Sequence, residues 1–140
     1  MSDTKRGISS PSDYCLLVLK SYLFQQNQNV HLEGDFPECQ GLFVTYKIKD
    51  VLRGCIGTFQ AHNISEAIDI FAIKAAQDHR MPKIVKNEFY KLTCKISVLH
   101  SFEICKLYEW DISDGISFEF ESHRATFLPG IAIEQVFLKN

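Results

Sequence analysis

Apolar residues recur along this chain at two spacings, and the two spacings divide it into helices and strands. Cys15, Leu16, Leu19, Tyr22 and Leu23 fall three and four residues apart and form one stripe of a helix. Ser10-Pro11-Ser12-Asp13 reads as its start. Ser10 supplies a capping oxygen, Pro11 suits the first helical position, and Asp13 sits where unpaired N–H groups favour negative charge. The stripe fades over Gln25 to Asn29. Residues 1–9 read as a flexible leader, and residues 27–41, with Gly34, Pro37 and Gly41, as a loop.

Phe43, Val44, Tyr46 and Ile48 lie in one β-rich run and Val51, Leu52, Cys55 and Ile56 in a second. Lys49-Asp50 between them predicts a tight hairpin, without the glycine that a primed turn prefers. Asn63 and Glu66 then have the spacing of a capping box. Ile64, Ala67, Ile68, Phe71, Ala72, Ala75 and Ala76 share one face of the helix that follows, which should end near Asp78–Arg80, before Pro82. Its alanines allow close packing on a sheet.

Leu92, Cys94, Ile96 and Val98 alternate with more polar neighbours as a half-buried strand. Ile116, Phe118 and Phe120 give another. Arg124 to Leu128 gives a third, close enough for a hairpin. This order predicts an α+β fold: mostly antiparallel sheets packed with two main helices, in two sub-lobes sharing one core.

Composition fits a globular chain of one domain, with 140 residues, 46% of them hydrophobic and 23% charged. A net charge of −2 argues against a strongly basic nucleic-acid footprint. Residues 74–95 nevertheless carry six basic against two acidic side chains, and residues 103–121 one basic against six acidic. Such runs are most simply solvated faces, so nucleic acid is not an expected partner. No run approaches the roughly 18 apolar residues of a membrane span. Met1 to Ser10 lacks the apolar centre of a secretory signal. The five widely spaced cysteines therefore read as reduced thiols of a cytoplasmic or nuclear protein. Neither a Cys-x-x-Cys pair nor a His-x-x-x-His pair occurs, so no metal site is expected, and no cofactor.

Chemistry concentrates in Leu52-Arg53-Gly54-Cys55-Ile56-Gly57-Thr58-Phe59. Gly54 and Gly57 let backbone approach a second chain or a ligand closely. Arg53 and Cys55, two apart in extended backbone, share a face, where a guanidinium would favour the reactive thiolate. Two readings of Cys55 stand side by side: a nucleophile, or a small core residue on a covered strand. A nucleophile needs a base, and His62 is the nearest histidine. Asp78, near a helix C-terminus, opposes the helix dipole and calls for a specific partner, Arg53 or Arg80.

This segment resembles the signature of the AMMECR domain family. Leu42-Phe43-Val44-Thr45 precedes it as in that family. Lys74-Ala75-Ala76-Gln77-Asp78-His79-Arg80 is similar to the family's Ala-Ala-x-Asp-x-Arg helix end. Arg124-Ala125-Thr126-Phe127-Leu128-Pro129 and Glu134-Gln135 resemble its late strand and turn, and Tyr14-Cys15 its eukaryotic members. The collinear resemblance runs over about residues 13–135. It implies an α+β domain with two sub-lobes around antiparallel sheets and no established biochemical activity. Prokaryotic relatives are associated with Memo-like and radical-SAM proteins. Three departures accompany it. The family's further C-terminal helices and final strand have no counterpart after Asn140, so residues 10–140 read as a domain truncated at that end. Asp114-Gly115-Ile116 stands for the family's His-Gly-Ile. Met81 stands where the family tends to have Phe.

Two functions follow as expectations. The first is a regulatory or protein-interaction module, with a protein partner or a homodimer covering the apolar end Val136, Phe137 and Leu138. The second is an enzyme or enzyme relic using Cys55, with a small anionic ligand held by Arg53 and by Gly54, Gly57, Thr58, Asp78 and Arg80 around it.

Overall fold

Ser10 caps the first helix as its sequence requires, its Oγ accepting from the N–H of Asp13 at 3.3 Å. That helix, α1 (Pro11–Phe24), ends where Gln25 turns left-handed at φ 53°. A computed structural model of the chain describes residues 5–36, 39–61 and 63–99, together with the backbone of residues 116–120 and 123–127. The chain divides into two compact units, Met1–Phe102 and Glu103–Asn140.

In the first unit, α1 is flanked by two short strands, β1 (Arg6–Ile8) and β2 (Val30–Leu32), which pair in parallel. Both lie in stretches that the sequence pattern reads as leader and loop. Arg6–Ile8 is ordered backbone, with the Arg6 N–H reaching the carbonyl of Asn29 at 3.0 Å. Two strands of three residues each carry too little alternation to be seen as a period.

The hairpin around Lys49-Asp50 forms as read. Strand β3 (Gly41–Ile48) pairs antiparallel with β4 (Val51–Thr58), and Ile48 faces Val51 across a two-residue turn. Lys49 and Asp50 both take positive φ, 49° and 66°, as a type I′ turn demands. Strand β5 (Thr93–Leu99) joins the other side of β3, giving the order β4-β3-β5. Helix α2 (Ile64–Ala76) begins where Asn63 Oδ1 accepts from the Glu66 N–H at 3.1 Å. It ends at Ala76, short of Asp78.

Alternation in β3 sends Leu42, Val44 and Tyr46 to one face, where they are fully buried with Cys15 and Leu19 of α1 and Ile68, Ala72 and Ala75 of α2. The two helices are tied by a hydrogen bond from Tyr14 Oη to Asp69 Oδ1 at 2.6 Å. The alanine face of α2 is core, as its periodicity implies. Gly54, opposite Tyr46 in the register, also faces α2. A β-carbon there would run into the Ala75 carbonyl oxygen, so this glycine sets how closely helix and sheet approach. After the helix, a 3-10 turn at Lys86–Lys91 leads into β5.

The second unit contains β6 (Ile116–Phe120) and β7 (His123–Phe127), an antiparallel pair with Ile116 opposite Phe127. This is the late hairpin read from the sequence, begun one residue earlier at His123. Trp110, Asp114 and the apolar end Val136 to Leu138 lie outside the described residues. The fold is thus α+β, and among the described residues every sheet pairs antiparallel except the short β1-β2 pair.

Candidate functional site

Among the described residues β4 is an edge strand, so half of its backbone polar groups point away from β3. At Cys55 these groups are met by side chains from the segment after α2. Asp78 Oδ2 accepts from the Cys55 N–H at 3.0 Å, and Arg80 Nη2 donates to the Cys55 carbonyl at 3.0 Å. Carboxylate and guanidinium together occupy the place a neighbouring strand would take.

The two side chains also hold each other. Arg80 donates from Nε to Asp78 Oδ1 at 3.0 Å and from Nη2 to Oδ2 at 2.7 Å. The Arg80 backbone N–H adds a third bond to Oδ1 at 3.1 Å. The Asp78 side chain is 3% exposed, whereas that of Arg80 is 64% exposed. Hydrogen bonds from Arg80 hold the Asp78 carboxyl well below the usual carboxylate range, against the opposing effect of burial. Asp78 in turn pushes the Arg80 guanidinium up, and the nearby Cys55 sulfur adds to that. Of the two partners expected for Asp78, the structure selects Arg80.

Arg53 is occupied elsewhere. The register slips between Tyr46 and Lys47, which face Gly54 and Leu52, so Arg53 is the extra residue of a β-bulge. Its Nε and Nη2 bind the two carboxylate oxygens of Glu88 at 2.8 and 2.9 Å, and its Nη1 reaches the Pro82 carbonyl at 3.3 Å. The paired acid pushes Arg53 up and is itself pushed down by the same bonds. The expected juxtaposition of Arg53 with the thiol is therefore replaced by a strut between β4 and the 3-10 turn. Glu88, on that turn, was not marked by the sequence pattern. Its signal was compositional: Asp78 and Glu88 are the two acids in the basic stretch 74–95, and each takes one arginine.

Cys55 itself is half-buried and does not belong to the core. Because Gly54 faces the helices, alternation turns Cys55 to the opposite sheet face, beside Thr45, whose Oγ1 lies 3.2 Å from Sγ. Gly57 lies against Phe43, whose ring packs on Phe59 at 5.2 Å between centroids. Thr58 Oγ1 accepts from the Gln60 N–H at 3.0 Å and shapes the exit from β4. His62, the candidate base, lies outside the described residues. Among the described residues no three His, Cys, Asp or Glu side chains gather as a metal site. No helix among them is long and apolar enough to cross a membrane.

The motif residues thus divide by role. Cys55, Asp78 and Arg80 meet at the outer edge of β4, Gly54 and Gly57 fix backbone contacts, and Arg53 braces the strand. Known proteins share this fold. The uncharacterised protein PH0010 from Pyrococcus horikoshii, known from a crystal structure, superposes with a TM-score of 0.74 at 25% identity, over 89% of this chain and 70% of its own. An uncharacterised protein of Saccharomyces cerevisiae is 30% identical over 131 residues, covering 72% of this chain and 52% of the relative. One from Methanocella arvoryzae is 30% identical over 129 residues, covering 84% and 65%, and one from Arabidopsis thaliana 33% identical over 112 residues, covering 70% and 52%. The chain spans about half to two thirds of the length of these relatives. A family model described as AMMECR1 matches residues 12–140, and with that match over most of its length the chain belongs to the AMMECR1 family.

Proposed function

We infer that the domain is a binding module whose edge at Cys55 presents Arg80 to an anionic group of a protein partner. The observation that carries this reading is the combination of order and exposure at Arg80. Asp78 and the Cys55 carbonyl fix two of its nitrogens, while the side chain stays 64% exposed and Nη1 makes no hydrogen bond among the described residues. A guanidinium held in one orientation loses less freedom when it takes up a carboxylate, and its fork suits that geometry. Gly54, Gly57 and Thr58 support the surface without contacting the ligand, and Arg53 braces it.

A second reading keeps Cys55 as a nucleophile, because Arg80 lies close enough for the two to interact electrostatically. Binding is favoured over it on two grounds. The described partner of Sγ is a threonine hydroxyl, a poor base at neutral pH, and the Asp78 carboxylate already accepts four hydrogen bonds.

The test is an amide-resolved NMR titration with a hexaglutamate peptide. Shifts centred on Cys55 and Arg80, retained in Arg53→Ala and lost in Arg80→Ala, support binding at this edge. A peptide that shifts nothing, or shifts the Arg80→Ala protein equally, refutes it. Rapid iodoacetamide labelling of Cys55 in the native protein, with a midpoint well below the ordinary thiol value of about 8.5, would transfer weight to the nucleophile.

A further inference from the structure

Rings and lysines gather where α1 meets the 3-10 turn at Lys86–Lys91, in a cluster that includes none of the residues gripping Cys55. Phe89 is buried and anchors it. Its ring meets Phe24 of α1 at 5.9 Å between centroids and Tyr90 at 5.1 Å, both edge to face at 84°. Tyr90 also tilts against Phe24 at 6.1 Å. Two rings thus hold Tyr90, yet at 75% it is the most exposed large hydrophobic side chain among the described residues. Lysines lie over the same rings. Lys20, one helical turn before Phe24, places Nζ 5.7 Å from the Tyr90 ring centre, and Lys86 places Nζ 5.9 Å from that of Phe24.

Neither ammonium has a carboxylate partner among the described residues. The two ion pairs there are both made by arginines, and Glu88, the acid of this turn, is held by two nitrogens of Arg53. The other acid of the basic stretch 74–95, Asp78, is held by Arg80. The charge on Lys20 and Lys86 is therefore left for an anion from outside. We propose that this cluster docks a short acidic segment of a partner protein that carries an aromatic side chain, its ring stacking on Tyr90 and its carboxylates meeting Lys20 and Lys86. This surface is additional to the edge at Cys55 and does not depend on the reading of Arg80.

Charge and exposure together select this occupant. Tyr90 has two side-chain torsions, and contact with Phe24 and Phe89 already restricts them, so stacking costs it little freedom. The pull between an ammonium and an exposed ring is weak. The lysines can turn to a carboxylate while staying beside the rings. A purely apolar segment would leave both ammonium groups unanswered. A nucleic-acid strand calls for a succession of stacking platforms along a basic groove, whereas one ring stands free here and the chain carries a net charge of −2.

The experiment titrates the whole isotope-labelled chain with the peptide acetyl-Glu-Asp-Trp-Glu-Asp-Glu-amide and follows amide shifts. Shifts centred on residues 20–24 and 86–90 are expected. Tyr90→Ala, or alanine in place of the peptide's tryptophan, weakens binding about fivefold or more. Lys20→Gln combined with Lys86→Gln weakens it about as much and removes most of its salt dependence. Ile70→Ser, at an exposed apolar residue outside the cluster, leaves affinity unchanged. No shifts, equal affinity for a peptide with lysines in place of its acids, equal affinity after Tyr90→Ala, or an equal loss in Ile70→Ser overturns the proposal. Decauridylate producing the same shifts at lower concentration also overturns it and gives the surface to nucleic acid. Shifts confined to Cys55 and Arg80 overturn it while supporting the reading of Arg80. The comparison of peptides on the unaltered chain decides the matter even where a variant folds poorly.

Discussion

Arg80 Nη2 donates to the carbonyl of Cys55 at 3.0 Å, across the gap between an edge strand and the segment that follows a helix. With Asp78 accepting from the N–H of the same residue, one peptide position is gripped at both of its polar groups. This grip orients Arg80, and it also finishes a strand edge that would otherwise offer unpaired backbone.

Removing the carboxylate should show how much of the grip is structural. Asp78→Ala leaves the Cys55 N–H and a charged guanidinium without their acceptor. The expected loss is about 2 kcal/mol in urea unfolding, typical of a polar group stranded where water has limited access. A loss within error of zero would mean that water replaces the carboxylate at no cost.

The same side chain should make the domain acid-sensitive. The Asp78 and Glu88 carboxyls are both held below their ordinary range by arginine hydrogen bonds, so the folded state binds protons less readily than the unfolded chain. Their contribution is fully present above the unfolded values of about 3.9 and 4.3, and fades as pH falls further. Stability measured from pH 6 down to pH 2 should decline, and Asp78→Asn should flatten part of that decline. An unchanged slope in the variant would reject the assignment.

Gly54→Ala should be among the most damaging single-methyl changes in the chain. The added β-carbon meets the Ala75 carbonyl oxygen, backbone that cannot swing aside. A cost above about 2 kcal/mol is expected from overpacking of this kind. Thermal unfolding reads it directly, and a variant as stable as the parent would mean that α2 floats on the sheet.

Breaking the Arg53–Glu88 strut should weaken the domain without touching Arg80. Both side chains are partly screened by water, at 14% and 24% exposed, so a double-mutant cycle should give a coupling of about 1 kcal/mol. Amide shifts in the Arg53→Ala protein should spread over β4 and residues 86–91 and leave the hydrogen-bonded geometry at Asp78 in place.

Much of this could be read in advance where a period was long enough to count. Helix α2 announced itself through seven apolar positions on one face and through Asn63 at its start. The hairpin at Lys49-Asp50 was legible despite two residues forced to positive φ, because the runs on either side fixed the pairing. Arg53 could not be placed in the same way. Its bulge moves it out of alternation with Cys55, and a bulge depends on which residue of the neighbouring strand faces which, information carried by β3 and not by β4. Cys55 stayed between two readings for a related reason: its own run mixes small and apolar residues on both faces, and only contact with α2 shows that Gly54 is the inward one. Asp78 was marked correctly as needing a partner, because a carboxylate at the negative end of a helix is costly alone.

The pairing of Arg6–Ile8 with Val30–Leu32 bears on how the family match should be used at the bench. That match begins at residue 12, inside the first turn of α1. A fragment trimmed to it would discard the serine that holds the helix start and the partner that Val30 to Leu32 lean on, leaving frayed ends on both sides of α1. Any weakness found in such a fragment would describe the scissors and not the domain.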